Sequence, residues 1–230
     1  LVVADTFGRP TTETRPAPEH PIHYYLFDGM QMDIGGSVHG ADMPTKEQLG
    51  VVIHQTLASQ GFRRTDVGGP VPEIVVLYPC GTAVAEFSEW EEDIIDEETG
   101  AVTDTVTNTE LFNGDDMMRL VGASRARTRS LDMITTTEIN AALNSNRIYI
   151  TLAALDARAF REGRHQIVWR TRISLNSNRR QLPDFIEIML ASAAPFLGAE
   201  TDIPVFMGDN DRREIDVQIG ELEVVESDSK

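Results

Sequence analysis

Histidine and carboxylate pairs at short spacing are the first residues in this chain that could do chemistry, by holding a metal ion. His20 and His23 stand three apart, and His39 and Asp42 likewise. A three-residue gap brings two ligands to one side only on a helix, and His20-Pro21 lies in a proline-rich extended stretch, so neither pair reads as a zinc site. Asp209-Asn210-Asp211 groups oxygens suited to a hard cation. The loop lacks the glycine and closing glutamate of an EF-hand, however, and reads as an exposed acidic turn. Nucleophilic chemistry has no better footing. There is no G-x-S-x-G, and Cys80 follows the strand-like Ile74-Val75-Val76-Leu77-Tyr78-Pro79 with no basic motif beside it to lower its pKa. It reads as a small buried apolar residue, and as the single cysteine it excludes an internal disulfide. Gly35-Gly36 and Gly68-Gly69 belong to no phosphate-binding pattern. Paired carboxylates abound, yet acid–base cleavage of glycosides requires them at fixed separations that only a fold can set. No catalytic, metal-ligating or cofactor-binding residue is therefore expected, and no cofactor.

What the chain does carry is charge, unevenly distributed. Its 230 residues include 37 acidic and 20 basic side chains, for a net charge of −17, which argues against nucleic acid and anionic membrane surfaces as general partners. From Glu86 to Asp116 there are twelve acidic residues and no basic one. Within that tract Glu97-Glu98-Thr99-Gly100 reads as a turn, with Ile94-Ile95 before it and alternating Val102, Val106 and threonines after it, so a projecting acidic β-hairpin is expected to carry Glu91, Glu92, Asp93 and Asp96. Residues 119–180 invert the balance, with twelve arginines against Asp132, Glu138, Asp156 and Glu162. There Arg125, Arg127 and Arg129 alternate with small residues. Such a run is usually a solvated face, but it can also pair with the hairpin, within one chain or in a second copy. These three arginines and four acidic residues form the expected interaction surface, with a protein partner or a second copy of the chain as its target. No small-molecule ligand is indicated.

The elements that must position these groups are legible in outline. Residues 9–21 carry four prolines, so residues 1–21 are expected to form an extended arm, with the folded unit starting near Ile22. Tyr24 to Phe27 reads as a strand. Leu49, Val52, Ile53 and Leu57 recur at helical spacing after Pro44-Thr45, with Thr45 and Gln48 at capping-box distance and Gly61 as the stop. His54 borders that apolar face and reads as structural. Glu73 to Tyr78 reads as a strand buried on both faces. Ile148 to Leu155 and Gln166 to Leu175 read as a hairpin, and Pro183 opens a helix with Ile186, Met189, Leu190 and Ala193 on one face. Glu214 to Val225 reads as an exposed or edge strand with a bulge near Gly220. The expected fold is α+β: one domain over 22–230, with a mixed or antiparallel sheet, two main amphipathic helices packed on it, and the acidic hairpin in an insertion at about 81–145. No apolar run approaches the roughly 20 residues of a membrane-spanning helix. The chain begins at Leu1 and not at methionine, so a removed signal peptide or tag is expected upstream.

This order, from the aromatic strand Tyr24 to Phe27 and the helix ending in Gly61-Phe62 through the strand Glu73 to Tyr78, then Ile148 to Asp156, Gln166-Ile167-Val168-Trp169-Arg170 and the helix Asp184 to Phe196, resembles a known family. The family is a bacterial envelope family known as domain of unknown function 4136, whose members are often lipoproteins. The resemblance covers about residues 24–80 and 146–198. It implies an exported, non-catalytic protein of the periplasm or outer surface, and it carries over no catalytic residue. Two departures stand out. The charged stretch at 81–145 looks inserted, and no cysteine near the start of the sequence could accept a lipid. The expected function is a binding or assembly module acting through exposed strands and the charged insertion. The alternative is a hydrolase whose carboxylate or histidine groups are gathered by folding.

Overall fold

The fold is that of a computed structural model describing residues 1–7, 14–17, 19–27, 30–36, 42–66, 68–96, 99, 102–111, 113–126, 128–178 and 181–207. The expected strand at Glu214 to Val225 and the acidic turn at Asp209-Asn210-Asp211 lie outside the described residues, as does His39.

The architecture is α+β with a mixed sheet. The sheet runs β1 (Val2–Thr6), β9 (Ile167–Asn176), β8 (Arg147–Asp156), β4 (Ile74–Leu77), β2 (His23–Phe27), β3 (Arg63–Arg64), and β5 (Cys80–Ala83) also pairs with β8. β2 is parallel to β3 and β4, while the other pairings are antiparallel. β4 and β5 lie end to end along one edge of β8, on either side of Pro79, whose ring removes a backbone donor at the break. Among the described residues six α-helices accompany the sheet, where two stood out in the sequence.

One sheet face carries the main core. It is covered by α1 (Lys46–Ser59) and α6 (Leu182–Ala193), which pack Leu49, Ile53, Leu57, Ile186, Met189 and Leu190 onto Tyr24, Val76, Ile150, Leu152 and Trp169. α1 starts where local chemistry dictates. Thr45 Oγ1 accepts from the Gln48 amide at 3.3 Å, and Gln48 Oε1 accepts from the Thr45 amide at 2.9 Å, so two otherwise orphaned donors are satisfied. Burying this face keeps apolar side chains out of water at about 25 cal/mol per Å².

The described residues cover only part of the width of the opposite face. α2 (Gly114–Val121), α3 (Ala123–Ala126) and α4 (Met133–Leu143) pack on β1, β9 and the start of β8, burying Leu1, Val3, Met117, Leu120, Val121, Ile139 and Tyr149. Gly122 joins α2 to α3 at φ 74°, and a Cβ there would meet Val3 Cγ2 at 2.9 Å, so both the left-handed turn and the close approach require glycine. α5 (Ala157–Arg161) follows β8 and contacts β4. The connection between β8 and β9, the two strands read from the sequence as a hairpin, thus contains a short helix.

The start of the chain departs most from the sequence reading. Residues 2–6 are not part of an arm: they form β1, pair with β9 from Val2↔Ile173 to Thr6↔Trp169, and are held on their other edge by reciprocal backbone bonds between Val2 and Val205. The expected arm therefore follows a core strand and does not precede the fold. Even there Arg15 donates to the Leu197 carbonyl at 3.4 Å, tying residue 15 to the body.

Candidate functional site

The acidic tract forms a second, two-stranded sheet. β6 (Phe87–Ile95) and β7 (Val102–Leu111) pair antiparallel from Phe87↔Leu111 to Ile95↔Val102, with a register shift between Ile94 and Ile95. At roughly 3.3 Å per residue the ribbon is about 30 Å long. Its base is fixed to the body: Leu111 packs with Met117, Leu120 and Tyr149, and Asn113 Nδ2 donates to the Val84 carbonyl at 2.5 Å. Among the described residues no further strand pairs with either ribbon edge. Glu89, Glu91, Glu92 and Asp104 are exposed, and between them Phe87, Ile94, Ile95, Val102 and Val106 leave 41–58% of their surface in water. A free two-stranded ribbon has marginal stability and two open hydrogen-bonding edges, so these edges and side chains are available to a partner.

The acidic residues singled out from sequence are not equivalent. Glu91 is exposed on β6, and Glu92, also exposed, accepts from Asn108 Nδ2 across the ribbon at 3.2 Å. Asp93 occupies a β6 position opposite Thr105. Asp96 has a local duty: its Oδ1 accepts from the Thr99 amide at 2.7 Å and the Thr99 hydroxyl at 2.8 Å, closing the tip.

The arginines are placed quite differently from the free cationic surface expected. Arg127 lies outside the described residues. Arg125 reaches into the body, where its Nη2 comes 2.7 Å from Asp5 Oδ1, in ion-pair range but at an angle that makes no hydrogen bond. Its Nη1 donates to the Thr201 carbonyl at 3.2 Å and stands 3.6 Å from Glu200 Oε1. Arg129 donates to Asp202 Oδ1 at 3.0 Å. Neither arginine reaches the ribbon, because acidic partners on β1 and residues 200–202 are nearer.

Asp5 is the centre of a cluster the sequence did not announce. Its buried carboxylate also meets Arg172 Nη2 at 2.6 Å and Arg170 Nη2 at 3.3 Å. Three guanidiniums thus surround one carboxylate. Burial pulls the Arg172 pKa down to about 10, against the opposing pull of Asp5. The available signal was the alternation of Arg170 and Arg172 in a strand whose neighbours are apolar, since charges directed at a covered sheet face need a counter-ion.

Among the described residues, the other titratable groups are held in local bonds. His54 Nε2 lies 3.2 Å from Arg64 Nη1; a guanidinium only donates, so Nε2 accepts, and Nδ1 carries the proton that it donates to Tyr24 Oη at 2.7 Å. Burial and then Arg64 push the His54 pKa down, and burial pushes Tyr24 up to about 12. Burial likewise raises Cys80 to about 11 and Tyr149 to about 12. An activated nucleophile needs the reverse shift. A groove of about 810 Å³ gathers Glu19, His20, His23, Glu73, Asp156 and Arg158. Here Glu73 Oε1 accepts from the His23 amide at 3.2 Å, Asp156 caps α5 through the Ala159 amide at 2.7 Å, and Arg158 stands 3.4 Å from Glu162. No group of three or more metal-ligating side chains occurs among the described residues, and no helix among them is long and apolar enough to cross a membrane.

No family model and no curated protein matches the chain. Among solved structures it is similar to a PDZ domain protein from Parabacteroides distasonis, with a TM-score of 0.45 and 6% identity over 89% of this chain, and it spans only 37% of that protein's length. It is also similar to the PelC dodecamer from Paraburkholderia phytofirmans, with a TM-score of 0.38 and 8% identity, covering 87% of this chain and 99% of PelC. A variant of the same PelC gives 0.35 and 10%, covering 87% of this chain and 100% of that one. These overlaps are too loose to bear on function.

Proposed function

We propose that the chain is a non-catalytic binding and assembly module, and that it engages a protein partner through the charged insertion, chiefly the β6–β7 ribbon. The observation that carries this reading is the ribbon's combination of two unpaired edges with apolar side chains left in water between exposed carboxylates. Contact with a partner would cover that apolar surface, and the carboxylates would select a basic one. The upward-shifted thiol and phenols support the non-catalytic side of the reading. The bacterial cell envelope, periplasmic or outer-surface, is the setting that follows from the sequence resemblance.

The competing hydrolase reading has the 810 Å³ groove in its favour. Its Glu73, Asp156 and Arg158 already have structural partners, which leaves little free for acid–base work. The experiment is native electrophoresis of extracts from the source cells. The full chain should migrate in a complex, and a variant lacking Glu91 to Thr105, joined by a short turn, should migrate free while retaining a cooperative melt. Identical migration of the two folded proteins would remove the ribbon from the function.

A further inference from the structure

Resting on the reading of the ribbon as a binding element, we infer that its partner recognises one ribbon face only, the one bearing Glu92, Ile94, Asp104 and Val106. The partner is a basic protein other than this chain, and it offers an apolar side chain between lysines or arginines. The register separates the two faces. Successive side chains of a strand alternate sides, and directly paired residues share a side. Glu92 pairs with Val106 and Ile94 with Asp104, so these four stand together, and Asn108 joins them, as its bond to Glu92 requires. Glu91 pairs with Thr107, so Glu89, Glu91, Thr105 and Thr107 stand on the other face.

Mid-ribbon, the two faces differ in kind. One presents exposed carboxylates and threonine hydroxyls, which water solvates well. The other is a checkerboard: Ile94 and Val106, 46% and 41% exposed, occupy one diagonal, and exposed Glu92 and Asp104 occupy the other. Such diagonal neighbours lie about 7 to 8 Å apart. Beyond the register shift Ile95 and Val102, 58% and 55% exposed, continue the apolar surface to the tip. At the opposite end Phe87 pairs with Leu111, which packs against Met117 and Tyr149 and so fixes that pair at the body. The apolar surface within reach of a partner is therefore concentrated in the outer half of the ribbon, flanked by acid.

Charge selects the occupant. The bonds of Glu92 and Asp104 come from neutral donors, the Asn108 amide group and the Thr105 backbone amide at 2.9 Å, and neither carboxylate has an ion pair among the described residues. Residues 86–116 contain no basic side chain, so the counter-charge must come from outside the ribbon. A second copy is a poor source. It brings the same net charge of −17, and its Arg125, Arg129, Arg158 and Arg164 already face carboxylates. A basic partner meets neither obstacle. An apolar side chain seated on Ile94 and Val106 excludes water, and the attraction of Glu92 and Asp104 for flanking cations strengthens as the local dielectric falls. Charge alone would give a contact that salt screens away, and apolar contact alone would select no partner.

Fluorescence anisotropy with short labelled peptides on the purified full chain tests this. A peptide alternating lysine and leucine should bind at least tenfold more tightly than one of equal length alternating lysine and serine, or glutamate and leucine. The pair Ile94→Ser, Val106→Ser and the pair Glu92→Lys, Asp104→Lys should each weaken that binding at least tenfold. Glu89→Lys with Glu91→Lys makes the same change of charge on the other face and should weaken it less than threefold. Should a pair lose its cooperative melt, Glu92→Lys alone, at an exposed position, should still weaken binding at least threefold. Absence of binding, equal losses from the two faces, or a lysine and serine peptide that binds as tightly overturns the inference. Native electrophoresis of cell extracts separates this outcome from the ribbon's role. There Ile94→Ser, Val106→Ser should migrate free, and Glu89→Lys, Glu91→Lys should stay in the complex. Release of the second variant, alone or with the first, leaves the ribbon as the binding element and makes the face assignment wrong. If deletion of Glu91 to Thr105 also leaves the complex intact, both readings fall.

Discussion

Asp5 and the ribbon carboxylates show two opposite ways of placing acid in one chain. Asp5 is buried in the sheet with three guanidiniums around it, whereas Glu89, Glu91 and Glu92 stand in water on strands without a cation. A buried charge is tolerated only with partners, so it binds its neighbours to a fixed geometry. An exposed one costs little and leaves its surroundings free to meet something else. Net charge alone conceals this difference between an acid held by cations inside the sheet and acids left in water on the ribbon.

The contrast breaks most sharply at Asp5. Asp5→Ala leaves three arginines facing one another at a covered sheet face and should cost about 3 to 5 kcal/mol in denaturant unfolding. A loss below about 1 kcal/mol would mean the cluster is solvated and the contrast is false. A smaller effect is expected at His54, whose depressed pKa comes first from burial. The sign follows from linkage. Below the ordinary value of 6.5 the unfolded chain takes up the His54 proton more readily than the folded one, so this residue makes stability fall as pH drops through and below that value. His54→Gln should flatten that part of the stability–pH curve, and an unchanged slope would exclude the neutral tautomer bonded to Tyr24 and Arg64. The smallest effect belongs to the ribbon: Glu91→Ala and Glu92→Ala should each move stability by less than about 0.5 kcal/mol in the same melts.

Legibility in the sequence followed the range of the interactions. The limits of α1 were readable because its signals are local, with the cap at Thr45 and Gln48 three residues apart and the apolar face at helical spacing. α6 and the strands β2, β4, β8 and β9 were readable for the same reason. β1 was not, because five residues before a proline-rich stretch become a strand only through pairing with β9, far away in the chain. α4 was hidden by its composition. Ile134-Thr135-Thr136-Thr137 is a β-branched run that disfavours helix, and it is rescued by Asp132, whose carboxylate accepts from the Thr135 amide at 2.8 Å, while Thr136 and Thr137 turn their hydroxyls back to the carbonyls of Asp132 and Met133. The candidate site divides in the same way. The acidic tract could be seen as composition, but the destination of Arg125 could not, since its partner Asp5 lies 120 positions earlier and carries no local signal.

The most direct test of the ribbon as the element that meets a partner is amide hydrogen exchange across 87–95 and 102–111, comparing the dilute isolated chain with the complex purified from its cells. Ribbon amides with open edges should exchange quickly in the isolated chain and slow at least tenfold in the complex, while the amides of β8 and β9 stay protected in both. Equal, fast exchange of the ribbon in both samples would contradict its role.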